Sequence, residues 1–276
     1  MRLYTANAIR PFADAYRAMK TDILFQPLEA VGQWQSQETD VKTRELLGAT
    51  LEYMMPEEPE ELREQVPANL PWAEDHFQER VSGQPLNPPP SEAWWPFNQE
   101  GNRAHKFQKD GQAVQFSHTY PERFWPKVAG DYPQDVNREN GGPNRGIRYV
   151  LGDLWDLVEL LRRAPGTRQA YLPVWFPEDT GTVHGQRVPC TLGYHFLIRN
   201  RQIHCWYFMR STDLMRHFPD DVYMAVRLVQ WICFQLSDVA VVKPGRLTMS
   251  MSSLHTFEAD DFALLRDTRL AGNARR

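Results

Sequence analysis

The chain has 276 residues, 24% of them charged, and a formal net charge of −4; that length buries a large core, and with no Gly/Ser linker or low-complexity run it is expected to form one domain over 1–276. The slight acidity excludes a protein that wraps nucleic acid, which would need a basic face, but allows a nucleotide-sized ligand held by a few arginines. Three cysteines, at 190, 205 and 233, are too few and too scattered for a disulfide framework or a zinc site.

Taken in order, the chain begins without the apolar core of a signal peptide, and nowhere does it offer the roughly 18 apolar residues that would span a membrane. A reducing cytoplasm is the expected location, in a bacterium or a phage-infected cell. An amphipathic helix is expected around 13–20, ending ahead of Pro27. Lys42 and Arg44 lead from a basic loop into an alternating strand that reaches Tyr53. The acidic run from Pro56 reads as an exposed turn entering a short helix. Residues 72–83 read as a helix closed by Gly83, ahead of a proline-rich loop at 85–90. Glu74 and Glu79 lie on it and in the ordinary case face solvent.

Residues 130–146 are rich in Pro, Gly and Asn and read as a loop. Asp153 is a plausible N-cap for a helix carrying Leu154, Leu157, Val158 and Leu161 at helical spacing, and Pro165-Gly166 ends it. A strand is expected over 167–175. A strand over 187–199, a tight turn at Asn200-Arg201 and a returning strand to Asp213 form a hairpin. A long apolar helix follows over 220–235, with Asp220 the better candidate of two leading aspartates for its cap. Gly245 opens a last alternating strand to Ser252, followed by the polar stretch that holds His255 and Phe257.

Within the hairpin, Cys190 sits behind Pro189 at the mouth of a strand. By residue type alone a free cysteine is more often a small core residue than a reagent. It becomes a nucleophile where cations stabilise its thiolate, and Arg187 and Arg210 are placed to do so.

Pro189-Cys190, a strand pair, and then Arg210-Ser211 with Asp213 resembles the catalytic block of the thymidylate synthase family, including its pyrimidine hydroxymethylase branch. The cysteine and the arginine stand 20 residues apart, as in that family. The likeness is good over 115–260 and weak over the first hundred or so residues. It implies an α+β fold, a single three-layer domain with one twisted mixed sheet packed by helices, and two subunits meeting sheet to sheet.

The resemblance further implies roles. Cys190 would attack pyrimidine C6, with Glu79, or alternatively Glu74, managing protons through water and Tyr120 joining that network, although Pro121 replaces the family's glycine. Arg44 or Lys42 would hold the nucleotide phosphate, and Arg210 and Ser211 would bind the substrate. Arg168 would reach the partner subunit's phosphate, while Gln169 departs from the family's second arginine. His255 would bond the sugar hydroxyl, where Phe257 replaces a tyrosine. Trp95 and Asp213 would contact 5,10-methylenetetrahydrofolate, the co-substrate, and no metal is implied.

Asp221 stands where thymidylate synthases carry an asparagine that reads uracil. Cytosine presents the reverse edge, an amino donor and an N3 acceptor, which a carboxyl group can satisfy. The expected activity is therefore 5-hydroxymethylation of dCMP, as in the deoxycytidylate hydroxymethylase branch. CMP as substrate, C5 methylation of dCMP or dUMP, and a non-catalytic nucleotide-binding relative are the alternatives. The expected partners are a pyrimidine nucleoside monophosphate, the folate and a second copy of the chain.

Overall fold

In the computed structural model, the residues described are 2–31, 33–34, 37–38, 40–97, 108–109, 112–113, 115–129, 152–177, 179–180, 188–239 and 241–273. Arg187 and the expected loop over 130–146 lie outside them. The main sheet among these residues has seven strands: β1 (Arg2–Ala6), β2 (Glu29–Ala30), β3 (Lys42–Met54), β4 (Tyr171–Pro173), β5 (Thr191–Arg199), β6 (Gln202–Asp213) and β7 (Lys243–Phe257). Their spatial order is β1-β3-β7-β6-β5-β4, with β2 beside β3. The β1–β3 and β6–β7 pairs are parallel and the others antiparallel, so the sheet is mixed.

The hairpin forms as its turn chemistry dictates. Asn200 and Arg201 both take positive φ, 50° and 59°, the conformation that matches a two-residue turn to the twist of the strands it joins. Along β6 the side chains of Ile203, Cys205, Tyr207 and Met209 are buried, and the alternate residues are partly exposed. The same alternation on β7 buries Leu247, Met249 and Met251.

Helices α1 (Phe12–Leu24), α2 (Pro59–Gln65), α3 (Trp72–Val81), α4 (Tyr120–Phe124), α5 (Pro126–Ala129), α6 (Leu154–Arg163), α7 (Phe218–Gln235) and α8 (Asp261–Asn273) complete the description. α7 packs on β6 and β7, and α1 on β1 and β3, while α2 and α3 lie against α7, so helices stack outward from the sheet. The fold is thus a mixed α+β arrangement, one open mixed sheet packed by helices. The other face of the sheet leaves Leu47 and Tyr171 exposed.

Local signals account for most helix ends. Asp153 accepts from the Asp156 amide in a reciprocal capping box, and Leu154, Leu157, Val158 and Leu161 are buried behind it. α7 corrects one expectation: neither leading aspartate caps it. Asp220 accepts instead from the amide and side chain of Asn69, at 2.7 and 2.8 Å. The strand expected over 167–175 also shrinks to Tyr171–Pro173, with the Phe196 amide still donating to the Ala170 carbonyl at 2.8 Å.

Candidate active site

Cys190 is the residue immediately before β5. The register of β5 against β6 shifts between Phe208 and Met209, so Met209 faces Thr191 and the Arg210 amide donates to the Cys190 carbonyl at 2.9 Å. The 20-residue spacing is thus two strands, a two-residue turn and one bulge, and without the bulge Ser211 would stand opposite the cysteine. The shift falls where Leu192 turns its carbonyl to the amides of Val174 and Trp175, both at 3.0 Å.

The Arg210 side chain folds back over the cysteine's own segment. Its Nε donates to the Pro189 carbonyl at 2.9 Å and its Nη2 to that of Val188 at 3.2 Å; the same Nη2 stands 3.7 Å from Cys190 Sγ. Ser211 Oγ lies 3.8 Å from the same sulfur. A partly exposed thiol is thereby flanked by one cation and one hydroxyl donor.

A chain of hydroxyls runs beside it. Tyr120 Oη is 3.0 Å from Thr191 Oγ1, which is 2.9 Å from Tyr207 Oη. Burial, then the nearby sulfur of Cys190, pushes the Tyr120 phenol up to about 12, so its proton stays in place at neutral pH. Pro121 sits where a helix accepts proline, in the first turn of α4 behind the Thr119 capping box.

Asp221 accepts a hydrogen bond from Thr212 Oγ1 at 2.7 Å and keeps some solvent contact. Burial of most of its surroundings pushes its carboxyl up to about 7, against the pull of the Thr212 bond and the Arg80 charge. It can thus be either acid or base near neutrality.

His255 pairs with Asp213 across β6 and β7. Burial, then the charges of Arg210 and Arg216, hold the imidazole down to about 4, so it is neutral at pH 7. Asp213 accepts from the amides of Met215 and Arg216 through Oδ1, at 2.9 and 3.1 Å, while its Oδ2 is buried with no hydrogen-bond partner. Burial pushes this carboxyl up to about 6. The Trp95 ring stacks on His217 with centroids 4.8 Å apart, beside the same turn. Arg216 Nε stands 3.7 Å from Asp213 Oδ2 as an ion-pair partner.

Other expected residues are engaged by partners outside this cluster. Glu79 accepts from the Ser91 amide at 2.7 Å and the Ser91 hydroxyl at 2.5 Å, with His76 Nδ1 at 3.3 Å. Burial works to raise this carboxyl, and the bonds from His76 and Ser91 outweigh it and hold it below the usual range. Glu74 is held by Arg227 at 2.9 Å through both oxygens and by Tyr223 Oη at 2.6 Å. Arg44 forms a two-pronged pair with Asp261 at 3.2 and 3.0 Å and donates to the Gln26 carbonyl, and Lys42 pairs with Glu258.

Arg168 and Gln169 are exposed, and the Arg168 carbonyl is 3.0 Å from Nε2 of His195. His195 lies five residues along β5 from Cys190, roughly 16 Å at the usual rise per residue. Three residues of the site carried no sequence signal: Thr191, Thr212 and Arg80. The guanidinium of Arg80 lies 4.0 Å over the Tyr120 ring.

Among the described residues no group of three or more His, Cys, Asp or Glu is arranged to hold a metal ion, and no helix is long and apolar enough to cross a membrane.

No family model matches the chain. It is similar to a protein of Methanosarcina barkeri named "Putative thymidylate synthase", 26% identical over 133 residues, which are 48% of this chain and 58% of that protein. Proteins of the same name from Methanosarcina acetivorans and Methanococcoides burtonii are each 25% identical over stretches of the same length and coverage. The chain therefore spans somewhat over half the length of the curated relatives it matches. A mixed α+β sheet packed by helices, with a cysteine held between an arginine and a serine, is compatible with a thymidylate synthase-like fold, and these similarities point to the same family.

Proposed function

We propose that this protein transfers a one-carbon unit to C5 of a pyrimidine nucleotide, most specifically as a 5-hydroxymethylase of dCMP. The observation that carries the reading is the setting of Cys190: a partly exposed sulfur with the Arg210 guanidinium at 3.7 Å and the Ser211 hydroxyl at 3.8 Å. A cation and a hydroxyl donor beside a partly exposed sulfur are what a cysteine nucleophile calls for.

Pyrimidine C5 is a weak nucleophile until a group adds at C6. Cys190 forms the sulfur–C6 bond and the displaced electron density makes C5 reactive. 5,10-Methylenetetrahydrofolate, when bound, supplies the one-carbon unit. Asp213 and Trp95 are the residues that would hold it, through an Oδ2 that lacks a hydrogen-bond donor and through the ring plane. Loss of the C5 proton with departure of tetrahydrofolate would leave an exocyclic methylene on C5, and addition of water to it with release of the sulfur from C6 would complete the turnover.

Asp221 reads the base. As an acid it donates to cytosine N3, and as an anion it accepts from the exocyclic amine; a carboxyl near pH 7 supports either role. In this reading Asp221 also exchanges protons at the ring, since Glu79 is committed to Ser91 and His76. Tyr120 and Thr191 keep their protons and order water beside the sulfur. Neutral His255 suits a sugar hydroxyl. Arg168 lies too far along β5 to serve the Cys190 of its own chain, which favours its acting on a partner's phosphate in a dimer.

The test is tritium release from C5 of dCMP, CMP and dUMP, each offered with methylenetetrahydrofolate, with products identified by mass. Release from dCMP with a product heavier by one CH2O is the expected result. Release from dUMP alone would overturn the base assignment and keep Cys190. Silence with all three, from folded protein, would leave a nucleotide-binding relative without the chemistry.

A further inference from the structure

Arg80 ends α3 with its side chain turned inward. It is 4% exposed, its Nε is buried without a hydrogen-bond partner, and among the described residues no carboxylate forms an ion pair with it. Arg123 shows how this protein otherwise buries a guanidinium: at 1% exposure, both of its Nη atoms are taken by Asp179, at 3.0 and 2.9 Å. A buried cation without an anion is costly, and the face of an aromatic ring offsets only part of that cost.

The ring beneath Arg80 belongs to the site. Tyr120 offers its face to the guanidinium at 4.0 Å and its hydroxyl to Thr191, the residue after Cys190. The Arg80 charge also acts on Asp221 and Asp220. Arg80 is therefore a buried cation without an ion-pair partner among the described residues, lying on the ring whose hydroxyl reaches the residue after Cys190.

We propose that Arg80 is a further catalytic residue, one that donates to the acceptor edge of the pyrimidine ring as Cys190 bonds to C6. The inference rests on the C5-transfer reading. In that step the thiolate pair forms the sulfur–C6 bond and the C5–C6 π pair moves between C5 and C4. The π pair of C4 with N3, or with O4 in uracil, becomes a lone pair on the ring edge. A fixed cation there is worth most when that charge arrives, and little in the ground state.

The experiment compares wild type, Arg80→Met and Arg80→Lys as full-length protein. It measures single-turnover tritium release, equilibrium binding of the same nucleotide, and thermal melting. Arg80→Met is expected to slow release by about 10²–10³-fold while the Kd of the nucleotide moves less than about threefold, and Arg80→Lys to fall only about tenfold below wild type. A rate loss below about threefold in Arg80→Met would overturn the proposal, as would a loss that falls wholly in Kd, which would make Arg80 a substrate anchor. Should the Met variant not fold, the Lys variant decides: a tenfold slower release at unchanged Kd supports the role, and a wild-type rate refutes it. Failure of the C5-transfer reading shows separately, as wild type that releases no tritium from any nucleotide.

Discussion

Cys190 and Asp221 are each defined by what stands within a few ångströms of one atom. Substituting Cys190 by Ser should abolish C5 tritium release, since a hydroxyl is almost entirely unionised at neutral pH, while nucleotide binding measured at equilibrium is retained because Arg210 and Ser211 remain. Asp221→Asn should move preference from dCMP toward dUMP by at least tenfold in the ratio of kcat/KM values, the scale set by leaving a buried polar group unpaired. An unchanged ratio would remove Asp221 from the ring edge.

The same carboxyl gives a sign to the pH dependence of stability. An acid whose folded pKa is raised to about 7 from an ordinary value near 4 binds more protons folded than unfolded across that window, so its contribution to stability falls as pH rises from about 4 to 7. Asp213, raised to about 6, acts in the same direction, and His255, lowered to about 4, acts in the opposite one between about 4 and 6.5. The Tm difference between Asp221→Asn and wild type cancels the other groups. It should shift in favour of the variant as pH rises from 5 to 8; a difference independent of pH would place the carboxyl in solvent.

At the scale of elements, β5 and α3 deliver the site. Gly193 lies one residue beyond the bulge, where an added Cβ would meet the Leu172 carbonyl at 2.7 Å and the Tyr171 ring. Gly193→Ala should therefore push β4 from β5 and cost roughly 1–3 kcal/mol in denaturant unfolding, with a further loss of activity because the bulge sets the partner of Cys190. Arg123→Met would leave the buried Asp179 carboxylate without its cation, at a cost of about 3–5 kcal/mol. α3 shows how far periodicity carries. Its span and its closing glycine at φ +81° were legible. Which of two consecutive residues, Glu79 or Arg80, would face Tyr120 was not, because a rotation of about 100° per residue decides it and only the neighbours fix the rotation.

For the whole molecule, one face of the sheet packs on α1 and α7, and the other leaves Leu47 exposed near one edge and Tyr171 near the other. The exposed apolar side chains favour a second copy covering that face, as the proposed dimer requires. Light scattering should then give twice the 32.2 kDa of the chain. Mixing Cys190→Ser with Arg168→Ala chains should restore activity to about a quarter of the wild-type sites, since random pairing gives half heterodimers with one intact site each. No recovery on mixing would confine Arg168 to its own subunit.

What the amino-acid sequence determined by itself is whatever local interactions enforce. Asp153 and the four apolar residues behind it specify α6, and Asn200-Arg201 specifies the hairpin turn; the bulge, not the spacing, sets Arg210 rather than Ser211 opposite Cys190. Tertiary structure alone decided that Asp220 ties down Asn69, that Arg44 is engaged by Asp261, and that Arg80 lies over Tyr120 without an anion. Those pairs are 40 to 217 residues apart, as 80 to 120 and 44 to 261 show. A side chain's partner at such range depends on how helices rotate and sheets register when the core closes, and no spacing along the chain encodes that.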